Sequence, residues 1–219
     1  MSVHNPTATG PIAREAARSN SEVVESRSGG ITIADPGPLG LAAFAMTTFV
    51  LSMFNADLVS RSGETVTLGL ALTYGGLAQM LAGMWEFRTG NTFGAVAFTS
   101  FGAFWLSFWA FNQFYATSIP AADAGHAVGL YLIAWGIFTT YMFVASLRTT
   151  AAISLVFILL AATFFLLGIG NAGAHTNIVK WGGYVGIATA AAAWYASFAA
   201  VTNATFARTV LPVRPLARR

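Results

Sequence analysis

Charged residues are almost missing from the central part of this chain, and the few that occur are spaced as in a membrane protein. From Leu39 to Phe206 only eight side chains are charged, namely Asp57, Arg61, Glu64, Glu86, Arg88, Asp123, Arg148 and Lys180. The apolar stretches between them run roughly 18 to 25 residues, and about 20 helical residues cross the ~30 Å hydrocarbon core of a bilayer. The pattern predicts an all-α integral membrane protein.

Composition supports this class and excludes others. Charged residues make up 9% of the 219-residue chain, against about 25% in soluble domains. Because the chain has no cysteine, disulfides, iron–sulfur clusters and thiolate metal sites are excluded. The net charge of +3 comes from basic residues scattered singly along the chain, so we expect membrane lipid rather than nucleic acid as its surroundings. The 22 glycines are typical of helices that pack closely in lipid.

The apolar stretches predict six spans joined mostly by short connections. The predicted spans are Pro38–Val59, Thr65–Phe87, Thr92–Asn112, His126–Leu147, Ala151–Gly170 and Trp181–Phe206. They form one transmembrane domain over residues 35–207, followed by a short basic tail over residues 208–219. Residues 1–34 are polar and are predicted to be a disordered tail, with a short interfacial helix near Glu15, Arg18 and Glu22 as the alternative.

The distribution of lysine and arginine predicts the orientation of the six spans. Nine of these eleven residues lie in the two tails or in the loops that hold Arg88 and Arg148. The other two, Arg61 and Lys180, lie in loops on the opposite side. By the positive-inside rule, both termini are predicted to be in the cytoplasm of a multi-pass protein of the cytoplasmic (inner or plasma) membrane.

Residue sets that support catalysis are missing from the sequence. The three histidines are far apart, so neither a metal nor a haem site is expected. The chain has no phosphate-binding loop for ATP-driven transport, and no carboxylate near the middle of a span, as a proton pump would need. We therefore expect no cofactor, no metal and no enzymatic activity.

Two segments have both a structural and a functional interpretation. In the third span, Phe98, Phe101, Trp105, Phe108 and Asn112 share one helix face. Such a face usually packs against a neighbouring helix, but an aromatic lining of a narrow pathway is the alternative. At the start of the first span, Asp35 can cap the helix, with Pro36 as its first residue. The same helix N-terminus could instead present backbone donors to an anionic solute.

Several strings together resemble the succinate–acetate permeases, also called the acetate uptake transporter family. Residues 35–41 read Asp-Pro-Gly-Pro-Leu-Gly-Leu and are similar to the family signature, which usually begins with Asn. The signature residues here are Asp35, Pro36, Pro38, Leu39, Gly40 and Leu41. Residues 74–79, 90–94, 97–105, 170–171 and 208–212 also resemble family motifs, so the resemblance covers about residues 35–212.

This resemblance implies a hexamer in which each six-helix protomer has its own pathway for acetate and related small carboxylates. It places a hydrophobic constriction at Phe44, Phe101 and Leu160, where Phe101 replaces the usual tyrosine. It also implies that Leu160 and Ala193 influence substrate size, and we predict polar donors to the solute at Thr47, Tyr74 and Gln79. The three constriction residues follow their helix starts at similar distances, so they can form one layer.

The sequence therefore predicts transport of acetate-like monocarboxylates, with succinate as a further candidate, by a channel-like or proton-linked route. A channel for a small neutral solute, such as urea, another amide or ammonia, is one alternative. A non-transporting membrane scaffold or sensor subunit is the other.

Overall fold

The computed structural model describes residues 33–216, and six long helices form most of this part of the chain. They are α1 (Gly37–Asn55), α2 (Val66–Thr89), α3 (Thr92–Ser118), α4 (Ala121–Ser146), α5 (Ala151–Ala172) and α6 (Thr176–Thr205). Each is long and apolar enough to cross a membrane, so the predicted all-α fold with six spans is confirmed. The predicted disordered tail, and its alternative of a helix near Glu15, lie outside the described residues apart from Ile33 and Ala34.

Several helix ends differ from the predicted spans, and α6 begins at Thr176, five residues before the predicted Trp181. Helix α1 stops at Asn55 rather than Val59, and two residues later Asp57 adopts a φ of 60°, which cannot continue a right-handed helix. The long turn predicted between the third and fourth spans is wrong. Helix α3 continues to Ser118 and α4 already begins at Ala121, directly after Pro120. Proline lacks the amide hydrogen of a helix interior but is suited to a helix start.

Helices α2 and α3 each contain a π-helical segment, at Thr73–Ala78 and Phe111–Tyr115. Such a segment adds a residue to a turn and rotates the faces on its two sides relative to each other. In α2, Gly76 packs against the Leu106 side chain and Gly83 against Thr99, whereas a side chain at Gly69 would point into open space. Gly69, Gly76 and Gly83 recur every seven residues in the sequence, a spacing that predicts one packing stripe, but the structure does not place all three on such a stripe.

Close contact of α6 with α1 and α5 builds the centre of the bundle. A Cβ atom at Gly183 would overlap the backbone of Ala56 in the turn after α1, and one at Gly182 would meet the Leu167 side chain of α5 at 2.7 Å. Helix α5 also packs along α4, and α2 packs along α3. Helix α5 is therefore positioned by neighbours on two sides, which fixes the side chains it directs inward.

The segment after α6 is held by side chains of that helix. Asn203 Oδ1 accepts hydrogen bonds from the backbone N–H groups of Val210 and Leu211 at 2.7 and 2.9 Å. The Tyr195 hydroxyl donates to the carbonyl of Pro212 at 2.7 Å. These contacts explain the polar residues of α6 and bring the segment to the start of α5.

The outward faces of the helices are apolar. On α4, Leu130, Ile137 and Val144 recur every seven residues and are 60–71% exposed. A stripe of this kind would be unfavourable in water, because contiguous exposed apolar surface associates or contacts lipid. This surface is therefore suited to lipid tails or to another subunit.

Candidate functional site

A cavity of about 580 Å³ lies within this single chain, between α1, α3, α4 and α5. Arg61, Glu64 and Tyr115 line the cavity near the ends of α1 and α3, and they mark its mouth. The chamber is much larger than a two-carbon acid, so size selection cannot occur in the chamber itself.

The residues that line the cavity show which part of the aromatic face of the third span packs against a helix and which part borders open space. Trp105, Phe108 and Asn112 of α3 line the cavity, as the pathway interpretation predicted. Phe98 does not, because its ring fills the space beside Gly40 of α1. One face of α3 therefore has two parts: its first turns pack against α1, and its later turns form the cavity wall.

The three predicted constriction residues lie at the closed end of this cavity. Phe44 and Leu160 line it, and the Phe101 ring lies 5.8 Å from the Phe44 ring, between ring centroids. Their exposed fractions are 5% for Phe44 and 3% for both Phe101 and Leu160. They follow their helix starts by about 7 to 9 residues, so each lies roughly 10–14 Å along its helix. The structure thus brings these three side chains together inside one chain.

Aromatic neighbours close the space around Phe101. Its ring centroid lies 5.4 Å from that of Phe138, 6.0 Å from that of Phe157 and 6.4 Å from that of Phe164. These distances are typical of favourable aromatic pairs. These rings surround a Phe101 side chain that is almost fully buried, so the layer is closed and apolar.

Two oppositely charged side chains at the mouth, Arg61 and Glu64, form a long and therefore weak salt bridge. Arg61 Nη1 lies 3.9 Å from Glu64 Oε2. Burial raises the pKa of the Glu64 carboxyl, and the nearby Arg61 charge partly opposes this effect. Glu64 therefore takes up a proton at a higher pH than an ordinary glutamate, and the negative charge at the mouth is lost correspondingly earlier as the pH falls.

Four of the predicted pathway residues do not line the cavity. Ala193 is fully buried in α6, and Gln79 is 1% exposed in α2. Tyr74 belongs to the π-helical segment of α2, and Thr47 packs against Gly75 of the same segment while its hydroxyl donates to the Ala43 carbonyl at 2.9 Å. Their roles in solute binding or selectivity remain predictions, and this cavity does not support them.

The signature segment joins α1 to its neighbours. Helix α1 begins at Gly37, so Pro36 precedes the first helical residue rather than being it, and Asp35 Oδ1 accepts a hydrogen bond from the Gly37 N–H at 2.8 Å. Ser197 of α6 donates to the Pro38 carbonyl at 2.7 Å, and Phe98 of α3 occupies the space that a side chain at Gly40 would need. These contacts favour the structural interpretation of residues 35–41. The Gly37 N–H, which could otherwise donate to an anionic solute, already donates to the Asp35 carboxylate.

Glu86 is a buried group whose surroundings the sequence did not reveal. It is 2% exposed, and the Thr89 hydroxyl donates to its Oε2 at 3.1 Å. A Cβ atom at Gly37 would lie 3.4 Å from Glu86 Oε1 and 3.0 Å from Asp35 Oδ1, so both carboxylates lie beside the start of α1. The burial of Glu86 could have been inferred from the sequence, because its spacing from Gln79 and Gly83 places all three on one helix face.

Thr48, Ser52 and Thr163 also line the cavity, although the sequence did not single them out. Thr48 and Ser52 follow Phe44 by four and eight residues, so helical periodicity from Phe44 would have identified them. The cavity therefore has polar groups directly beyond its apolar closed end.

Comparisons with known proteins agree with this architecture. The model of the GPR1/FUN34/yaaH family matches residues 22–218. The succinate-acetate/proton symporter SatP of Escherichia coli (strain K12) is 38% identical over 185 residues, which cover 84% of this chain and 97% of that protein. A solved structure titled as that of the bacterial acetate channel SatP has a TM-score of 0.78 at 38% identity, covering 83% of this chain and 99% of that chain.

A yeast relative has a different name and a longer chain. Ammonia transport outward protein 2 of Saccharomyces cerevisiae is 42% identical over 189 residues, covering 84% of this chain. The match spans 66% of that relative, slightly less than two thirds of its length.

Proposed function

The chain belongs to the GPR1/FUN34/yaaH family, and from this premise we propose that it transports acetate and related small carboxylates across the membrane. The family membership confirms the resemblance drawn from the sequence motifs. The names of the SatP relatives support acetate and succinate as substrates and transport rather than enzymatic activity. The whole activity is a proposal for this chain, which spans only part of its yeast relative.

One observation supports the proposal more than any other: a chamber with ample room for the solute that ends at a closed, buried layer of Phe44, Phe101 and Leu160. An apolar constriction resists hydrated ions because a charged solute loses its water there. A small carboxylic acid has only a short polar group to desolvate, and in its protonated form it carries no charge. The layer would thus select by width and by charge, while the chamber collects the solute.

The proposal includes an assembly and an orientation. We place both termini in the cytoplasm, so that the cavity mouth beside Arg61 and Glu64 faces outward. The apolar stripe of α4 is suited to lipid or to a neighbouring protomer in a hexamer, in which each protomer keeps its own pathway. Native mass spectrometry in detergent should give six 23.0 kDa chains; a monomer under conditions that retain acetate flux would contradict the hexamer.

Uptake of labelled acetate into proteoliposomes of the purified protein tests the function. We expect uptake above that of protein-free vesicles, with competition by unlabelled acetate and succinate and little competition by urea. A purified, folded protein without acetate uptake, with and without a pH gradient, would contradict transport and favour the scaffold alternative.

Ammonia is a second candidate solute, favoured by the name of the yeast relative. An uncharged molecule of this size is also suited to a dry layer of Phe and Leu side chains. Stopped-flow alkalinisation of vesicles by an ammonia gradient distinguishes the two. Ammonia flux with no acetate uptake would replace the acetate proposal.

A further inference from the structure

One helical turn beyond the constriction, the same three helices provide a second layer of side chains. Residues four positions after Phe44, Phe101 and Leu160 are Thr48, Trp105 and Phe164. They lie about 6 Å further along their helices, on the side of the cavity. All three line the cavity, so a solute that approaches the constriction meets this layer first.

Two hydrogen-bond donors in this layer have no partner. Thr48 Oγ1 and Trp105 Nε1 make no hydrogen bond, and their side chains are 5% and 2% exposed. Both atoms are themselves buried, although other atoms of the two residues line the cavity, so a solute reaches the donors when these side chains rotate. A buried donor without a partner destabilises a folded protein, and most such groups are paired. Thr67, Thr99 and Gln79 also carry unpartnered atoms, but they do not line this cavity.

The orientation of Thr48 is unusual for threonine in these helices. A hydroxyl in a membrane helix commonly donates to the carbonyl four residues earlier. The threonines that do so here are Thr47, Thr73, Thr139, Thr140, Thr163 and Thr189. Thr48 makes no such bond, so its hydroxyl is available to another acceptor.

We propose that Thr48 Oγ1 and Trp105 Nε1 form a binding site for the carboxyl group of the transported acid, directly outside the Phe44–Phe101–Leu160 constriction. This inference rests on the proposed transport of small carboxylates. The two donors are on different helices, α1 and α3, and both residues border the same cavity. Because both donors are neutral, they hold the group without the tight ion pairing that would slow its release.

Thr48→Val tests the site because it keeps the shape of the side chain and removes the donor. In proteoliposomes, we expect the KM for labelled acetate to rise about tenfold or more, as for a lost hydrogen bond to a charged group. Acetate should also raise the Tm of the detergent-solubilised parent, and this rise should shrink in the variant. Without ligand, Thr48→Val should unfold at the same temperature as the parent or a higher one, because it removes an unsatisfied buried group.

Two substitutions control for changes of shape. Thr48→Ser retains the donor and should keep a KM close to that of the parent. Thr139→Val removes a hydroxyl that bonds only to the Trp135 carbonyl of its own helix and does not line the cavity, so its KM should not change. Trp105→Phe should raise the KM in the same direction as Thr48→Val, whereas Trp109→Phe, outside the cavity lining, should not.

The outcomes separate this site from the transport function. Normal acetate flux with an unchanged KM in Thr48→Val would overturn the site and leave transport intact. An acetate-dependent Tm rise that is lost in Thr48→Val, in a protein without flux, would support the site and contradict transport. A parent with neither flux nor Tm rise would overturn both, and an equal KM rise in Thr139→Val would show a non-specific effect and overturn the site.

Discussion

Truncating Leu160 should widen the constriction and admit larger acids. Leu160→Ala removes three carbon atoms from a side chain that is 3% exposed and borders the cavity. Lactate exceeds acetate by one carbon and one oxygen, which is less than the volume removed. Since a pocket discriminates one methylene group by about 1–3 kcal/mol, we expect the lactate-to-acetate uptake ratio to rise roughly tenfold or more.

The stability change provides an independent measure of how Leu160 is packed. Three buried carbons contribute about 2.4 kcal/mol at ~0.8 kcal/mol each, and a closed core adds a cavity term that brings Leu→Ala changes to about 2.7–5 kcal/mol. One side of Leu160 already faces open volume, so its destabilisation should lie near the lower value. Thermal unfolding in detergent, compared with the parent protein, measures this change.

The assay compares initial uptake of labelled lactate and acetate in proteoliposomes of equal protein content. Leu160→Val should give an intermediate ratio because it removes one carbon. Leu155→Ala is the matched control, since Leu155 lies on the same helix but is 50% exposed on its outer face. An unchanged ratio in a folded Leu160→Ala protein, or an equal rise in Leu155→Ala, would refute Leu160 as the size-selecting residue.

Three other substitutions test the mouth, the signature segment and the helix packing. Asp35→Asn should retain the cap and near-normal acetate uptake, while Asp35→Ala should lose about 1 kcal/mol of stability in thermal unfolding; loss of uptake at every pH in Asp35→Asn would implicate the carboxylate in transport. Glu64→Gln should raise acetate uptake most at neutral pH and low salt. The uptake rates of the variant and the parent should converge in acid, because protonation removes the Glu64 charge of the parent there; equal effects at all pH values would contradict this. Gly183→Val should abolish folding through a clash with Ala56, whereas Gly69→Ala, in open space, should be tolerated, as judged by size-exclusion profiles; a well-folded Gly183→Val protein would contradict the packing.

Parts of the fold and the site could be predicted because they depend on simple periodicity. The spacing of single charges defined six spans, since each span must exclude charge from lipid. The family resemblance singled out Phe44, Phe101 and Leu160, and their similar distances from the starts of helices that run the same way allowed one layer. All three belong to one cluster of buried apolar residues, and their role as a constriction stays a prediction.

The remaining features depend on helix rotation, which periodicity alone does not determine. Thr47 and Thr48 are adjacent and chemically identical, yet one bonds to its own helix and packs on Gly75 while the other lines the cavity. The π-helical segment of α2 shifts its faces, so a regular glycine repeat gave a wrong stripe. Ala193 and Gln79 were expected near the solute, but neither lines the cavity. Contacts between helices that are distant in sequence determine which helix face borders the cavity.

The placement of ionisable groups suggests how protons and solute are coupled. The constriction and the rings around Phe101 contain no titratable side chain, while Glu64 lies at the mouth and Glu86 is beside the start of α1, on opposite sides of this layer. A proton relay through side chains would need titratable groups within the layer. We therefore expect the proton to cross bound to the acid itself.

Acetate uptake at fixed total acetate should then rise tenfold per unit fall in external pH above the pKa of acetic acid, with one proton entering per acetate. Uptake that is independent of pH, or proton entry without acetate, would contradict this mechanism.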